Sequence, residues 1–549
     1  MKDSLLQFKG LSIDFKIAND WVNVTDGISF DVRKGETLAL VGESGSGKSV
    51  TAMSVLGLLA PNARTNGTIE YNGMDLVSAS ASQLRSVRGR DIAMIFQEPM
   101  TALNPVYTIG AQLSDVLRRT ESVPKASTKR ESLRLMKAVH MPDPETKLNA
   151  YPHQLSGGQR QRAMIAMAIS GSPRLLIADE PTTALDVTVQ AEILDLLLEL
   201  QTTSDMSMLL ITHDMGVVAD VAKRVVVMEK GSIVEQADVE TLFVNPAKPY
   251  TKHLLASVPY LGKTLAPASA PNEAESRVLD VKKLSITYGG RSRKLDNHAV
   301  MDVSFDIRPG EILGLVGESG SGKTSIGKSI MGLVKDIDGD VVIDGKRVDY
   351  ANRKQRRATL RRVSMVFQDP ASSLNPRQPV WRSITDPLRW KQLQTRTTSL
   401  RDRAESLLNL VDMPSDTARR YPHELSGGQR QRIGIARALA VDPLLMIADE
   451  PTSALDVSVQ ATVLDLLQEL QIKLGFACLF ISHDLAVVEL LADRVAVLQR
   501  GEIVELDNAR TILATPNSDY TRRLIAAAPV PDPEEQRQRR RKRLTADVH

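Results

Sequence analysis

The sequence predicts an α/β fold built twice, with one domain of about 250 residues followed in tandem by a second copy of itself. Three strings carry that reading. GESGSGKS at residues 42–49 returns as GESGSGKT at 317–324, LSGGQRQR at 155–162 returns at 425–432, and ADEPTTALDVTVQ at 178–190 returns as ADEPTSALDVSVQ at 448–460. Their order is kept and their offsets nearly agree, 275 positions for the first string and 270 for the others. Two units are too few for a solenoid, so each must bury its own core.

Composition removes whole classes of function. Of 549 residues, 42% are hydrophobic and 25% charged, which excludes a largely disordered or collagen-like chain. Lys and Arg number 69 against 66 Asp and Glu, and a net charge of +3 is too small for a dedicated nucleic-acid binder. The single cysteine, Cys478, can form no internal disulfide and cannot supply the thiolates of a zinc or iron–sulfur site. Its flanks, Phe476-Ala477-Cys478-Leu479-Phe480, read as a buried strand in which it is a small hydrophobe. No stretch approaches the roughly 20 apolar residues of a membrane span, and the N-terminus lacks the apolar run of a signal peptide. The expectation is a chain of the reducing cytoplasm; if it acts at a membrane, other chains do the crossing.

The first string has a strand before it and a helix after it. Thr37-Leu38-Ala39-Leu40-Val41 is a short apolar run, Gly42-Glu43-Ser44-Gly45-Ser46-Gly47-Lys48-Ser49 follows, and Val50 onward can be helical. In that setting glycines let backbone N–H groups curl around phosphates, the lysine reaches the β/γ oxygens, and the hydroxyl of Ser49 can ligate Mg²⁺. Gly317-Glu318-Ser319-Gly320-Ser321-Gly322-Lys323-Thr324 repeats the pattern, with Thr324 as the hydroxyl.

Leu175-Leu176-Ile177-Ala178 is another buried strand and ends in Asp179-Glu180; Leu445-Met446-Ile447-Ala448 ends in Asp449-Glu450. The first carboxylate of each pair suits Mg²⁺, and the second, one residue past the strand, can polarise an attacking water. An acidic turn after a core strand is the plainer alternative for one copy, but not beside two phosphate-binding loops. His213 and His483 each close an apolar run and stand 34 positions after Asp179 and Asp449. A histidine at a strand end is usually only a satisfied polar residue; the repeated spacing argues for more.

The motif Leu155-Ser156-Gly157-Gly158-Gln159 and its repeat Leu425-Ser426-Gly427-Gly428-Gln429 resemble the signature of ABC ATPases, which other P-loop proteins lack. A serine and two glycines opening a helix offer backbone N–H groups and a positive dipole end to an anion. The resemblance implies two P-loop ABC nucleotide-binding domains, each a RecA-like core with a β subdomain and a helical signature subdomain, using ATP and Mg²⁺. It assigns Gln97 and Gln368 to the Q-loop and the metal, Ala184-Leu185-Asp186 and Ala454-Leu455-Asp456 to the D-loop, and His213 and His483 to the γ-phosphate. It implies that the two domains of one chain pair, Ser426 completing the site of Lys48 and Ser156 that of Lys323. Phe15 and Tyr288, ending LSIDF and LSITY, are its candidates for stacking on adenine, with Trp21 competing in copy one and core packing as the other reading.

Further stretches narrow the resemblance. After the Q-loop stand Glu98-Pro-Met-Thr-Ala-Leu-Asn-Pro105 and Asp369-Pro-Ala-Ser-Ser-Leu-Asn-Pro376; each core is followed by a Pro-Tyr-Thr-type segment, at residues 245–256 and 515–526. These are similar to the ATPases of bacterial oligopeptide, dipeptide and nickel importers, with copy one like the D-type subunit and copy two like the F-type, fused as in the microcin C and glutathione import ATPases. Such a chain implies two integral-membrane permease subunits, a periplasmic or lipid-anchored solute-binding protein, no direct nucleic-acid contact and a place at the cytoplasmic face of the inner membrane. The cysteine-rich tail of many such subunits is missing, so no iron–sulfur cluster is expected. Copy two has Arg437 where copy one has Met167, away from the phosphate-binding atoms. A tandem ABC protein acting on ribosomes or DNA is the rival, but its long charged linker, coiled coil or zinc insertion is not found; an exporter ATPase is disfavoured by the Pro-Tyr-Thr segments.

The landmarks divide the chain into a first domain at residues 1–259, a linker at 260–277 rich in small residues and proline, a second domain at 278–529 and a basic tail at 530–549. The tail carries Arg537, Arg539, Arg540, Arg541, Lys542 and Arg543 without apolar pattern. It is expected to be disordered and solvated, with attraction to anionic lipid, about 1 kcal/mol per charge, as the alternative.

Overall fold

A computed structural model of the chain describes residues 4–121, 123–183, 185–262, 276–288, 297–334, 336–369, 373–390, 399–453 and 455–546. Most of the expected linker, Ala184 and Ala454 of the D-loops, and residues 370–372 lie outside the described residues. The chain forms two units: Met1–Val258 together with Pro529–His549, and Pro259–Ala528.

In the first unit β1 (Ser4–Ile17), β2 (Asp20–Arg33), β4 (Ala63–Tyr71) and β5 (Met74–Asp75) form an antiparallel sheet of order β2-β1-β4-β5. The second sheet joins β3 (Thr37–Val41), β6 (Ile92–Ile95), β7 (Leu175–Asp179), β8 (Ser207–Ile211), β9 (Arg224–Glu229) and β10 (Ser232–Asp238) in the order β10-β9-β3-β8-β7-β6. All its neighbours are parallel except the edge strand β10. β3, β7 and β8 are buried along their whole length, which is why they read as unbroken apolar runs and not as alternating ones.

Successive side chains of these strands serve opposite faces. Leu175, Ile177, Leu209 and Ile211 join a core with Phe8, Ile13, Ile28, Ala52 and Val55, beneath the antiparallel sheet. Leu176, Ala178, Met208 and Leu210 join a second core with Leu113, Leu135, Ile165 and Leu197, from the helices Ile109–Thr120, Thr128–Ala138, Gly157–Ala168 and Val187–Ser204. The second unit repeats both sheets in the same order, with Ile312–Val316, Leu445–Asp449 and Ala477–Ser482 in the places of β3, β7 and β8. Cys478 lies inside that last strand, 1% exposed, as its apolar flanks require.

The tail departs from expectation. Residues Pro533–Ala546 are a helix, not a disordered segment, and belong to the first unit. Asp532 starts it by accepting the N–H groups of Glu534 and Glu535, as an N-cap carboxylate does. A composition-based reading sees only the run of arginines; the acidic partners of Arg537 and Arg543 lie more than 290 positions upstream.

One helix provides an internal contrast. In Gly427–Leu439 a Cβ on Gly428 would lie 2.4 Å from Val459 Cγ1, whereas one on Gly434 would meet nothing within 4 Å. Gly434→Ala should therefore stabilise the second unit by about 1 kcal/mol from backbone entropy and raise its unfolding midpoint. Gly428→Ala should lower it, since overpacking costs about 1–3 kcal/mol. Thermal unfolding of both variants checks this; equal shifts would contradict it.

Candidate active site

In a parallel sheet, ligands are received beyond the carboxyl ends of the strands. The chain follows that rule: the phosphate-binding loop leaves β3, Gln97 follows β6, Asp179 and Glu180 end β7, and His213 follows β8. Four segments scattered through the sequence meet because their strands are neighbours.

The loop depends on its glycines. Gly42 and Gly47 have φ of 148° and 96°, and a Cβ would lie 2.2 Å from the Met228 carbonyl oxygen or 2.6 Å from Thr25 Cγ2. Gly317 and Gly322 are held likewise, 2.1 Å from the Leu498 oxygen and 2.4 Å from the Ala299 oxygen. Lys48 is 5% exposed, and its ammonium donates to the carbonyls of Gly42 and Glu43, both at 2.8 Å. Lys323 does the same with Gly317 and Glu318. Ser44 and Gly45 are exposed, while Ser46 is buried.

Ser49 Oγ donates to Asp179 Oδ1 at 3.0 Å, and Thr324 Oγ1 to Asp449 Oδ1 at 3.0 Å. A carboxylate and a hydroxyl this close are hard oxygen donors, and two of them with nucleotide phosphate oxygens suit Mg²⁺, which is seldom held by an all-protein cage. No cluster of three or more His, Cys, Asp or Glu able to hold a metal occurs among the described residues.

The adjacent glutamates are wired differently. Glu180 has φ 47°, in the left-handed region that non-glycine residues seldom occupy, so its side chain turns away from that of Asp179. It accepts hydrogen bonds from Gln97 Nε2 and Thr183 Oγ1, both at 2.8 Å, and lies 3.0 Å from His213 Nδ1. Glu450, at φ 45°, receives Gln368 Nε2 at 2.8 Å and lies 3.3 Å from His483 Nδ1.

These settings split each pair electrostatically. Burial pushes Asp179 up to about 6, with Glu180 adding to it and the Ser49 and Lys48 contacts opposing. Burial would raise Glu180 too, but the hydrogen bond and charge of His213, with Thr183 and Lys48, hold it at about 2. Asp449 is likewise raised by burial, and Glu450 lowered by His483 against its own burial. Burial opposes the charged ring of His483, yet Glu450 and Asp484 outweigh it and raise its pKa.

Ser156 and Ser426 cap the signature helices, each accepting the N–H of the residue three on, Gln159 or Gln429, whose side chain returns the bond. The second glycine of each motif is set by packing: a Cβ on Gly158 would lie 2.6 Å from Val189 Cγ1. Among the aromatics, Tyr288 is 43% exposed and its hydroxyl donates to Ser325 in the first turn of the helix Lys323–Ile330. Phe15 instead packs against the first-unit core, which favours the packing reading. Trp21 is exposed and lies under the Arg64 guanidinium, 4.2 Å from its centroid.

Three contacts escape sequence reasoning. Tyr250 and Tyr520, from the Pro-Tyr-Thr segments, offer their hydroxyls to the loop N–H groups of Glu43 and Glu318, at 3.3 and 3.1 Å; the recurrence of the tyrosine at the same offset was the available signal. Thr183 beside Glu180 was not singled out. Arg437 donates to Ser373 and lies over Phe367, next to Gln368, whereas Met167 packs against the helical core of the first unit.

The family model described as ABC transporter matches residues 25–183 and 300–453. The model described as oligopeptide/dipeptide transporter, C-terminal region, matches residues 234–284 and 504–549. The glutathione import ATP-binding protein GsiA of Shigella dysenteriae serotype 1 is 45% identical over 563 residues, covering 96% of this chain and 90% of the relative. GsiA of Escherichia coli K12 gives the same values, and that of Salmonella typhimurium is 45% identical over 559 residues, with 96% and 90% covered.

The split pair makes opposite stability predictions for neighbouring residues. Asp179 holds its proton more tightly folded than unfolded, so its carboxylate form destabilises the metal-free fold as pH rises through about 6. Glu180 does the reverse: its contribution is present at neutral pH and lost as pH falls toward about 2. At pH 8 without nucleotide or divalent cation, Asp179→Asn should raise the free energy of unfolding and Glu180→Gln lower it, each by about 1–3 kcal/mol. Denaturant unfolding decides; a loss for Asp179→Asn as large as that for Glu180→Gln would refute the assignment.

Proposed function

The chain belongs to the ABC transporter family as an ATP-hydrolysing, ATP-binding subunit, and from that premise we propose that it drives uptake of peptides or peptide-like solutes of about glutathione size through separate membrane-spanning permeases. The observation that carries the catalytic part is the pair of complete, near-identical strand-end sites, neither of which lacks a group. The importer part rests on the C-terminal regions matched in both copies and on the import relatives. No helix among the described residues is long and apolar enough to cross a membrane, so the proposal places the crossing in two permease subunits. It seats this chain at the cytoplasmic face of the inner membrane, with solute delivered by a periplasmic or lipid-anchored binding protein.

In this reading the loop N–H groups and Lys48 or Lys323 hold the β/γ phosphates of ATP. Ser49 with Asp179, and Thr324 with Asp449, hold Mg²⁺, which when bound neutralises charge on the transferred phosphoryl group. The raised pKa of Asp179 fits that role, because a buried carboxylate without a compensating cation favours its proton. Glu180 and Glu450 stay ionised at neutral pH and accept a hydrogen bond from the attacking water, orienting it toward the γ-phosphorus. Gln97 and His213 engage different oxygens of Glu180, whereas Gln368 and His483 engage the same oxygen of Glu450, and the four lone-pair sites of a carboxylate leave room for the water beside them. The segments that follow the glutamines, 98–105 and 369–376, would face the permeases. Each ATP would be served by the loop of one copy and the signature of the other, Lys48 with Ser426 and Lys323 with Ser156.

Two experiments test this. Glu180→Gln and Glu450→Gln together should lower ATP turnover about 10²–10⁴-fold while nucleotide binding persists; near-normal turnover would falsify the base assignment. Lys48→Ala with Ser426→Ala should injure one site twice, and Lys48→Ala with Ser156→Ala both sites once. The second pair should lose more hydrolysis at saturating ATP, and equal losses would overturn the crosswise pairing.

A further inference from the structure

The two units do not divide where the two sequence copies do. The chain leaves copy one at Val258, and from Pro259 belongs to the second unit; it leaves copy two at Ala528, and from Pro529 belongs to the first. Pro259 and Pro529 are separated by the repeat offset of 270, so the exchange happens at equivalent positions. Both segments meet equivalent helices. The Gly262 N–H donates to Glu489 on Leu485–Leu491 at 2.8 Å. Pro529 lies against Gly216 on Met215–Val221, where a Cβ on the glycine would come within 2.5 Å of the proline Cβ.

The second crossing is built as a seat and an occupant. Val530 is buried, and its N–H donates to Gln536 Oε1 at 2.9 Å; Gln536 is itself 3% exposed. Along the helix Pro533–Ala546, Arg540 pairs with Asp195 Oδ1 at 2.7 Å and Arg543 donates to Asp195 Oδ2 at 2.9 Å. Both guanidiniums and the carboxylate are at least four-fifths buried. Arg537 pairs with Glu240 nearer the surface. Asp220 lies beside the same arginines, its carboxyl pushed up by burial against the pull of their charge. One aspartate shared by two arginines in a half-dry setting is stronger than an exposed pair, and breaking it leaves buried charge uncompensated.

We propose that this acidic face of copy one, centred on Asp195, is an interaction surface whose partner is the chain's own C-terminal helix, and that residues 529–546 act as a clasp keeping copy two on copy one in the absence of nucleotide. The clasp makes pairing within one chain the favoured choice, because a docked tail raises the effective concentration of the second copy at the first. It does not depend on where ATP is shared, since none of its residues belongs to the nucleotide site.

The test uses the full chain with a protease site placed between residues 263 and 275 and a tag on the N-terminus. After cleavage of the folded protein, without nucleotide and with chelator, the C-terminal half should be captured with the N-terminal half at low salt. Arg540→Glu with Arg543→Glu should lower capture at least about tenfold, truncation after residue 528 should act alike, and adding Asp195→Arg to the double reversal should restore most of the capture. Capture unchanged by the reversal, wild-type halves that separate as freely as the reversed ones, or a loss that Asp195→Arg does not repair would each overturn the clasp. Because no nucleotide is present, failure of the shared ATP sites cannot produce any of these outcomes.

Discussion

Burying a carboxylate at the end of a strand, where its partner in the sheet is Ile211 for Asp179 and Ile481 for Asp449, is the constraint from which the site follows. Asp179 is 5% exposed and Asp449 2%, each at the end of a run buried on both faces. Such a group is costly unless it is protonated, hydrogen-bonded or matched by positive charge. Ser49 or Thr324 supplies a hydrogen bond, and the loop lysine supplies part of the charge. In the proposed function a bound Mg²⁺ would supply the remainder, so the feature that weakens the empty fold would also be the one that gives it a ligand.

The next residue meets the same environment with the opposite result. The left-handed backbone at Glu180 and Glu450 turns the second carboxylate toward the ends of β6 and β8 and of their second-unit counterparts. Glutamine and histidine wait there. Two carboxylates one residue apart would repel if they shared a pocket; here the first lies against the Ser49 or Thr324 hydroxyl and the second against glutamine and histidine. That strained φ persists because the surrounding strands over-determine it, with the Glu180 N–H held by the Ile211 carbonyl at 2.9 Å.

Much of this was legible in the sequence because it lies in short contiguous strings. The glycine loop, the strand with its acidic end and the capped signature helix each specify local geometry, and the repeat showed each of them twice. The face-by-face sharing of β7 and β8 follows from their apolar runs once the parallel sheet is inferred. What was not legible needs long-range pairing. The Arg540–Asp195 contact, the Tyr250 hydroxyl on the loop and the Arg437 brace on Ser373 join residues from about 60 to more than 340 positions apart, and no periodicity encodes them. The basic tail misled because charge without apolar pattern normally means solvation, unless an acidic seat exists elsewhere. Phe15 was left between stacking and packing because an aromatic ending a strand serves a core as readily as a ligand.

The split of the carboxylate pair is observed most directly by selective ¹³C labelling of Asp and Glu side chains in the magnesium-free chain. Asp179→Asn and Glu180→Gln assign the two resonances, which are then followed against pH. Asp179 should titrate near 6 and Glu180 near 2. Two midpoints inside the ordinary carboxylate range, or the reverse order, would contradict the account.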